Sequence, residues 1–299
     1  MKKFFVAVLA MLLLLSVFGC AQQQAANPAQ NSPAPEGAQQ PAEATSAAES
    51  PAPTQEEDTS LSDVLAKGTL VQGMDDAFPP MGFRDENDNL VGFDVDVATE
   101  VAARMGVELV PTPIKWSQKE NELNSGNIDV IWNGYTITEE RKAAVEMTIA
   151  YMKNRQVMVV MADSSYQSLA DLAGKKVALQ AGSTAADALE GAADFKATIA
   201  GGEPIEFDDN LKALLDLEVG GCDAVLMDEI VANYHISSDM PQYRVLDESL
   251  SDEEYGIGCR KGSTALVAEI EKQLLAMAED GTLAEISNKW FGKDITTVK

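Results

Sequence analysis

The chain has 299 residues, with 22 Lys+Arg against 48 Asp+Glu, one His, three Cys and a formal net charge of −26. So acidic a surface argues against nucleic acid or anionic membrane as the ligand. One histidine, and three cysteines without a CxxC pair, leave little material for a metal or histidine-based active site, so no cofactor is expected.

Met1-Lys2-Lys3 followed by the apolar stretch Phe4 to Phe18 and Gly19 has the form of a secretory signal, residues 1–19. The apolar stretch falls short of the about 20 residues that span a bilayer. Cys20, directly after Gly19, resembles the lipidated cysteine of a bacterial lipobox, although Val17 and Phe18 depart from the usual residues there. An uncleaved anchor would leave the protein on the same side of the same membrane. From Ala21 to Ser60 there is no Val, Ile, Leu, Met, Phe, Trp, Tyr, Lys or Arg. Such a composition buries too little apolar surface to offset the entropy of ordering, and predicts a proline-stiffened, lipid-anchored disordered tether over 20–60.

The folded part is expected from Leu61. A capped turn ending in Gly68 precedes a strand, Thr69 to Met74, and then Asp75-Asp76-Ala77-Phe78-Pro79-Pro80-Met81. An acid, an aromatic and two prolines after a strand describe a rigid loop at its carboxyl end, where open α/β sheets bind ligands. Asp94 reads as the N-cap of a helix running to Gly106 with its charges in solvent, and Val107 to Val110 as the next strand, leading to Trp116. The β-branched run Ile128 to Trp132 reads as a buried strand.

After it comes Asn133-Gly134-Tyr135-Thr136-Ile137-Thr138-Glu139-Glu140-Arg141. Gly134 lets a ligand approach the backbone, Thr136 offers a hydroxyl to an anion, and Thr138 caps a helix whose first turn carries Arg141, a fork that matches a carboxylate. A strand, a turn and a surface arginine fit the same nine residues equally well. Further strands are expected at 156–161, within 168–184, at 205–207 and at 223–228, with helices at 184–190 and 209–219 and a longer one between its cap Ser263 and its stop Gly281. Gly182-Ser183-Thr184 opens the first of these helices, where exposed N–H groups favour an anion, though capping alone explains the residues. Asp228 ends its strand and also fits an N-cap.

Together these segments resemble the amino-acid-binding proteins of ABC importers, the polar-amino-acid branch of the extracellular solute-binding proteins, from Leu61 to Gly292. The resemblance implies an α/β, two-lobed, periplasmic-binding-protein-like fold with a two-segment hinge and a cleft between lobes. Residues 61–150 with 256–299 would form one lobe and 151–255 the other, with crossings near 151–155 and 253–256. By residue-for-residue match, Phe78 stacks on the ligand, Asp75 lies near its distal group, Trp116 is the second aromatic wall, and Asp228 takes the α-ammonium, helped by the Gly134 carbonyl. Arg141, Thr136 and the backbone of Gly182, Ser183 and Thr184 would hold the carboxylate, and Asn133 and Gln180 the polar tip. Met81 replaces the family's usual phenylalanine.

An aromatic sandwich with an acid nearby suits a cationic side chain, so a basic amino acid leads among arginine, lysine, histidine, glutamine and cystine. The expected protein is a monomeric, extracytoplasmic lipoprotein that hands its ligand to a membrane permease, and not an enzyme. A dehydratase on the same fold and an amino-acid-sensing lipoprotein are the alternatives. Cys222 and Cys259 are expected as two buried thiols on different lobes.

Overall fold

The computed structural model describes residues 57–238 and 240–299. The expected signal, Cys20 and most of the tether lie outside them. Helical structure starts slightly before the boundary expected at Leu61, in Ser60–Lys67. Just ahead of it, the Asp58 carboxylate accepts from the Thr264 hydroxyl at 2.8 Å and the Ala265 N–H at 2.7 Å. An acceptor there satisfies the open first turn of the helix Thr264–Asp280.

The strand β1 (Thr69–Met74) forms over the expected residues. The loop after it carries a small antiparallel sheet that the sequence reading missed: β2 (Ala77–Phe78), β3 (Gly82–Arg84) and β4 (Leu90–Val91). The helix Phe93–Met105 follows, and its N-cap is Gly92, not Asp94. The cause is a close approach. Gly92 has φ +144°, and a Cβ there would lie 2.2 Å from the Met81 carbonyl oxygen. The chain thus enters the helix pressed against Pro80 and Met81, whose carbonyls accept from Phe93 N–H at 2.8 Å and Asp94 N–H at 2.9 Å. Asp94 consequently lies in the buried first turn rather than in solvent.

The strand β5 (Glu108–Pro113) runs past Pro111, further than the expected Val110. It sits at the end of the sheet, paired only with β1, where a missing N–H can face away from the ladder. The strand β6 (Val130–Thr136) is buried at all seven positions, as suits a strand covered on both faces. It absorbs Asn133, Gly134, Tyr135 and Thr136, which had been expected beyond the strand. After β7 (Val145–Met147), the strands β8 (Met152–Met161), β9 (Val177–Gln180), β10 (Ile205–Phe207), β11 (Ala224–Asp228) and β12 (Tyr243–Arg260) complete the large sheet.

The main path of that sheet runs β10-β9-β11-β8-β12-β6-β1-β5. Two lobes share it. In one, β5, β1 and β6 are parallel; in the other, β9 pairs in parallel with β10 and β11, and β8 antiparallel with β11. The 18-residue β12 runs between them, antiparallel to β8 from Tyr243 to Tyr255 and to β6 from Tyr255 to Cys259. The two expected crossings lie side by side here, with Met152 opposite Tyr255 and Asn154 opposite Glu253. The helix Thr264–Asp280 buries Leu266, Ile270, Leu274 and Met277, and Gly281 stops it in the left-handed region. Cys222 and Cys259 are both buried and free.

Candidate functional site

The site forms where the carboxyl ends of β1, β6, β9 and β11 converge. From the first lobe come the rings of Phe78 and Trp116, both buried. Gly134 lies beneath Phe78: at φ +56°, a Cβ on it would be 2.8 Å from the Phe78 ring and 3.2 Å from that of Tyr255. Thr138 caps the helix Glu139–Ala144, its hydroxyl accepting from the Arg141 N–H at 3.1 Å. The Arg141 guanidinium lies 4.3 Å from the centre of the Tyr135 ring and donates to the Thr136 carbonyl at 3.0 Å. It is only 8% exposed, and among the described residues no acid pairs with it.

The second lobe faces this with Gln180 at the end of β9, Ser183 and Thr184 at the start of the helix Thr184–Gly191, and Asp228 at the end of β11. Asp228 is 4% exposed and accepts from Asn154 Nδ2 at 2.6 Å and the Tyr255 hydroxyl at 2.7 Å. Burial, and then the charge of Glu253, push its carboxyl up to about 7, against the hydrogen bonds from Tyr255 and Gln156. Phe78, Trp116, Gly134, Arg141, Gln180, Ser183, Thr184 and Asp228 together enclose a cavity of about 10 Å³. In this arrangement the lobes are closed on one another, so admitting a ligand of amino-acid size requires them to part.

Four residues expected at the ligand stand one layer back. Asp75 is held by Gln180 Nε2 at 2.6 Å, a contact between lobes, and by the Ala77 N–H at 2.9 Å. Burial raises its carboxyl to about 6, and these two hydrogen bonds oppose the rise. Asn133 Oδ1 accepts from the Asp75 N–H. Thr136 does not line the cavity; its hydroxyl donates to Glu253 and meets the Thr184 hydroxyl at 3.2 Å. The Gly182 carbonyl accepts from Lys119 Nζ at 2.9 Å, again across the lobes.

The sequence reading missed several polar groups around this site. Asp94, fully buried, accepts from the Gly134 N–H at 2.8 Å and the Tyr151 hydroxyl at 3.0 Å, and burial raises it to about 7. Lys119 is held down at about 8 by burial and then by the Arg141 charge. Asn154, Gln156 and Glu253 lie on the adjoining strands β8 and β12. The alternation along β8 puts Asn154 and Gln156 on the buried face of Met152, but the polar residues of Met152-Lys153-Asn154-Arg155-Gln156 would read the same way on a solvated edge, and Glu253 lies among acidic neighbours.

The family described as bacterial extracellular solute-binding proteins, family 3, matches residues 70–293. The L-cystine-binding protein of Escherichia coli (strain K12) is 32% identical over 238 residues, 79% of this chain and 87% of its own. The L-arginine-binding protein of Pseudomonas aeruginosa is 30% identical over 236 residues, 75% of this chain and 88% of its own. An ABC uptake transporter substrate-binding protein from Streptococcus pneumoniae, solved with bound histidine, gives a TM-score of 0.78 at 36% identity, covering 80% of this chain and 98% of that one. All three are named for binding and none for a reaction. A match that runs from the first strand to the last helix, over a cleft built from both lobes, makes this chain a member of the family 3 extracellular solute-binding proteins, a binder working outside the cytoplasm.

Proposed function

We propose that the chain captures one free polar L-amino acid, a basic one by first choice, and delivers it to an ABC permease. The observation that carries this is the opposition of two buried, oppositely charged groups across one cavity: Arg141, without an acid partner among the described residues, and Asp228. That polarity matches a zwitterion end for end. Arg141 and the N–H groups at Ser183 and Thr184 take the carboxylate, and Asp228 with the Gly134 carbonyl takes the ammonium. Phe78 and Trp116 flank the side chain, whose tip meets Gln180 with the Asp75 charge behind it.

Residues 61–150 with 256–299 act as one lobe and 151–255 as the other, hinged near 151–155 and 253–256. Closure is favoured only when both ends of the ligand are held, since a ligand shifts a conformational balance by its difference in affinity for the two states. Cys20 anchors the protein through lipid, as a monomer, and a separate ATPase drives uptake. The relatives named for arginine and cystine, and the structure with histidine, support the class of ligand.

The test is a thermal-shift screen of the purified protein against arginine, lysine, histidine, glutamine and cystine. A selective ligand at about 100 times its dissociation constant adds roughly 2.7 kcal/mol. A shift confined to arginine, lysine or histidine supports the basic choice; glutamine or cystine alone discards it; no shift with any of the five removes the amino-acid reading.

A further inference from the structure

We propose that Tyr255 is a positioning residue: braced where the two lobes meet, its hydroxyl holds one oxygen of Asp228 so that the other faces the ligand's ammonium. This rests on the amino-acid-binding reading above.

Tyr255 is the residue at which β12 passes from one lobe to the other. It stands opposite Met152 in the ladder with β8 and opposite Thr136 in the ladder with β6. A residue tied into both ladders sits at the pivot, where parting the lobes moves it least. Its fully buried side chain serves both lobes too. The ring lies under Gly134 of the first lobe, its hydroxyl-bearing carbon 3.2 Å from where a Cβ would stand. The hydroxyl itself donates to Asp228 Oδ1 of the second lobe at 2.7 Å. Tyr151 braces the ring from the other crossing: its N–H donates to the Tyr255 carbonyl at 2.9 Å, and the two ring centres are 6.3 Å apart.

Both close bonds to Asp228 fall on the same oxygen, since Asn154 Nδ2 also reaches Oδ1, at 2.6 Å. With Oδ1 occupied twice, Oδ2 is the oxygen left to an ammonium. Tyr255 does not line the cavity, whereas Gly134 and Asp228, the two groups it touches, do. It therefore acts through them and not on the ligand.

The same bond governs charge. Burial pushes the Tyr255 hydroxyl well above its usual range, so it remains a donor. A fixed donor favours the ionised carboxylate, against the burial and the Glu253 charge that raise it. The other groups facing Asp228 are Asn154 and Gln156 on β8 and the Arg141 guanidinium, while the adjoining Glu229 is paired with Arg155. Removing the Tyr255 hydroxyl leaves all of them in place, so the Asp228 carboxyl should hold its proton to a higher pH.

The experiment is calorimetry on the full protein, with whichever of L-arginine, L-histidine, L-glutamine and L-cystine binds tightest. Tyr255→Phe, which keeps the ring under Gly134, is compared with the wild type at about pH 6 and about pH 8.5. The expected loss of affinity is about tenfold at the lower pH, where the ligand must displace a proton held about ten times more tightly. At the higher pH, with the carboxyl largely ionised in both proteins, the loss should be less than about threefold. A loss by the same factor at both, as a merely structural role would give, overturns the proposal, and so does no loss. If Tyr255→Phe does not fold, it is combined with Asp228→Asn, and the double variant must bind within about twofold of Asp228→Asn alone. A weaker double variant shows the hydroxyl acting other than through Asp228 and overturns the proposal. A wild-type protein that binds none of the four fails the underlying reading instead, visibly before any variant is made.

Discussion

Arg141 and Asp228 differ in what removing each should do. Arg141 is buried and oriented by Tyr135 and Thr136, so truncating it leaves any bound carboxylate without its main counter-charge. Arg141→Ala should weaken every amino acid alike by at least about 2 kcal/mol, the cost of breaking a buried charged contact, as read by calorimetry. Retained affinity would mean the carboxylate lies elsewhere. Asp228 predicts a pH effect. Burial and Glu253 raise its carboxyl to about 7 before a ligand arrives. An ammonium pairs with the ionised form and lowers that value, so binding expels a proton. Affinity is therefore full above about pH 7 and falls as pH drops through it, by up to about tenfold per unit. Dissociation constants measured from about pH 5 to 8 should show this slope in the wild type and not in Asp228→Asn. A flat wild-type profile would place the ammonium away from Asp228.

Among the elements, the turn at Gly92 is the most constrained. A side chain there meets the Met81 carbonyl in a backbone region that L-residues rarely adopt, so Gly92→Ala should cost more than about 1 kcal/mol and lower the melting temperature. An unchanged melting curve would show that the turn can relax. The same turn explains a limit of the sequence reading. Asp94 has the chemistry of an N-cap and follows a glycine, and only the tertiary approach of Met81 makes it a buried acceptor for Gly134 and Tyr151. By contrast, β1 and β10 coincide with the expected strands and β11 begins one residue late, because β-branched apolar runs bounded by turn residues leave few other choices. Arg141 stood out by local chemistry, as a guanidinium in a capped first turn, whereas the places of Phe78, Trp116 and Asp228 came from the resemblance to the family. Asn154, Gln156 and Glu253 lie inside strands amid charged neighbours, in sequence indistinguishable from a solvated edge.

Over the whole molecule, the closed form is held by contacts that bridge the lobes: Gln180 with Asp75, Lys119 with the Gly182 carbonyl, Thr136 with Thr184, and the pair Lys115–Asp208 at 2.8 Å. Lys119 is the buried cation among them. Lys119→Ala should destabilise the closed, ligand-bound form by roughly 1.5–3 kcal/mol, the range for a hydrogen bond from a charged group. Calorimetry would register this as an affinity lower by about ten- to a hundredfold, by the same factor for every amino acid that binds. An unchanged affinity would assign closure to the remaining contacts.

A single strand serving both lobes also decides what kind of joint connects them. Across β8 and β12 the backbone ladder continues from Asn154 opposite Glu253 to Met152 opposite Tyr255, with no loop interposed. Such a joint behaves as a leaf spring: it flexes by twisting, and its interstrand bonds bend together instead of breaking one by one. Amide protons along it should therefore exchange slowly whether the cleft is shut or wide, while those at the lips of the cleft respond to cargo.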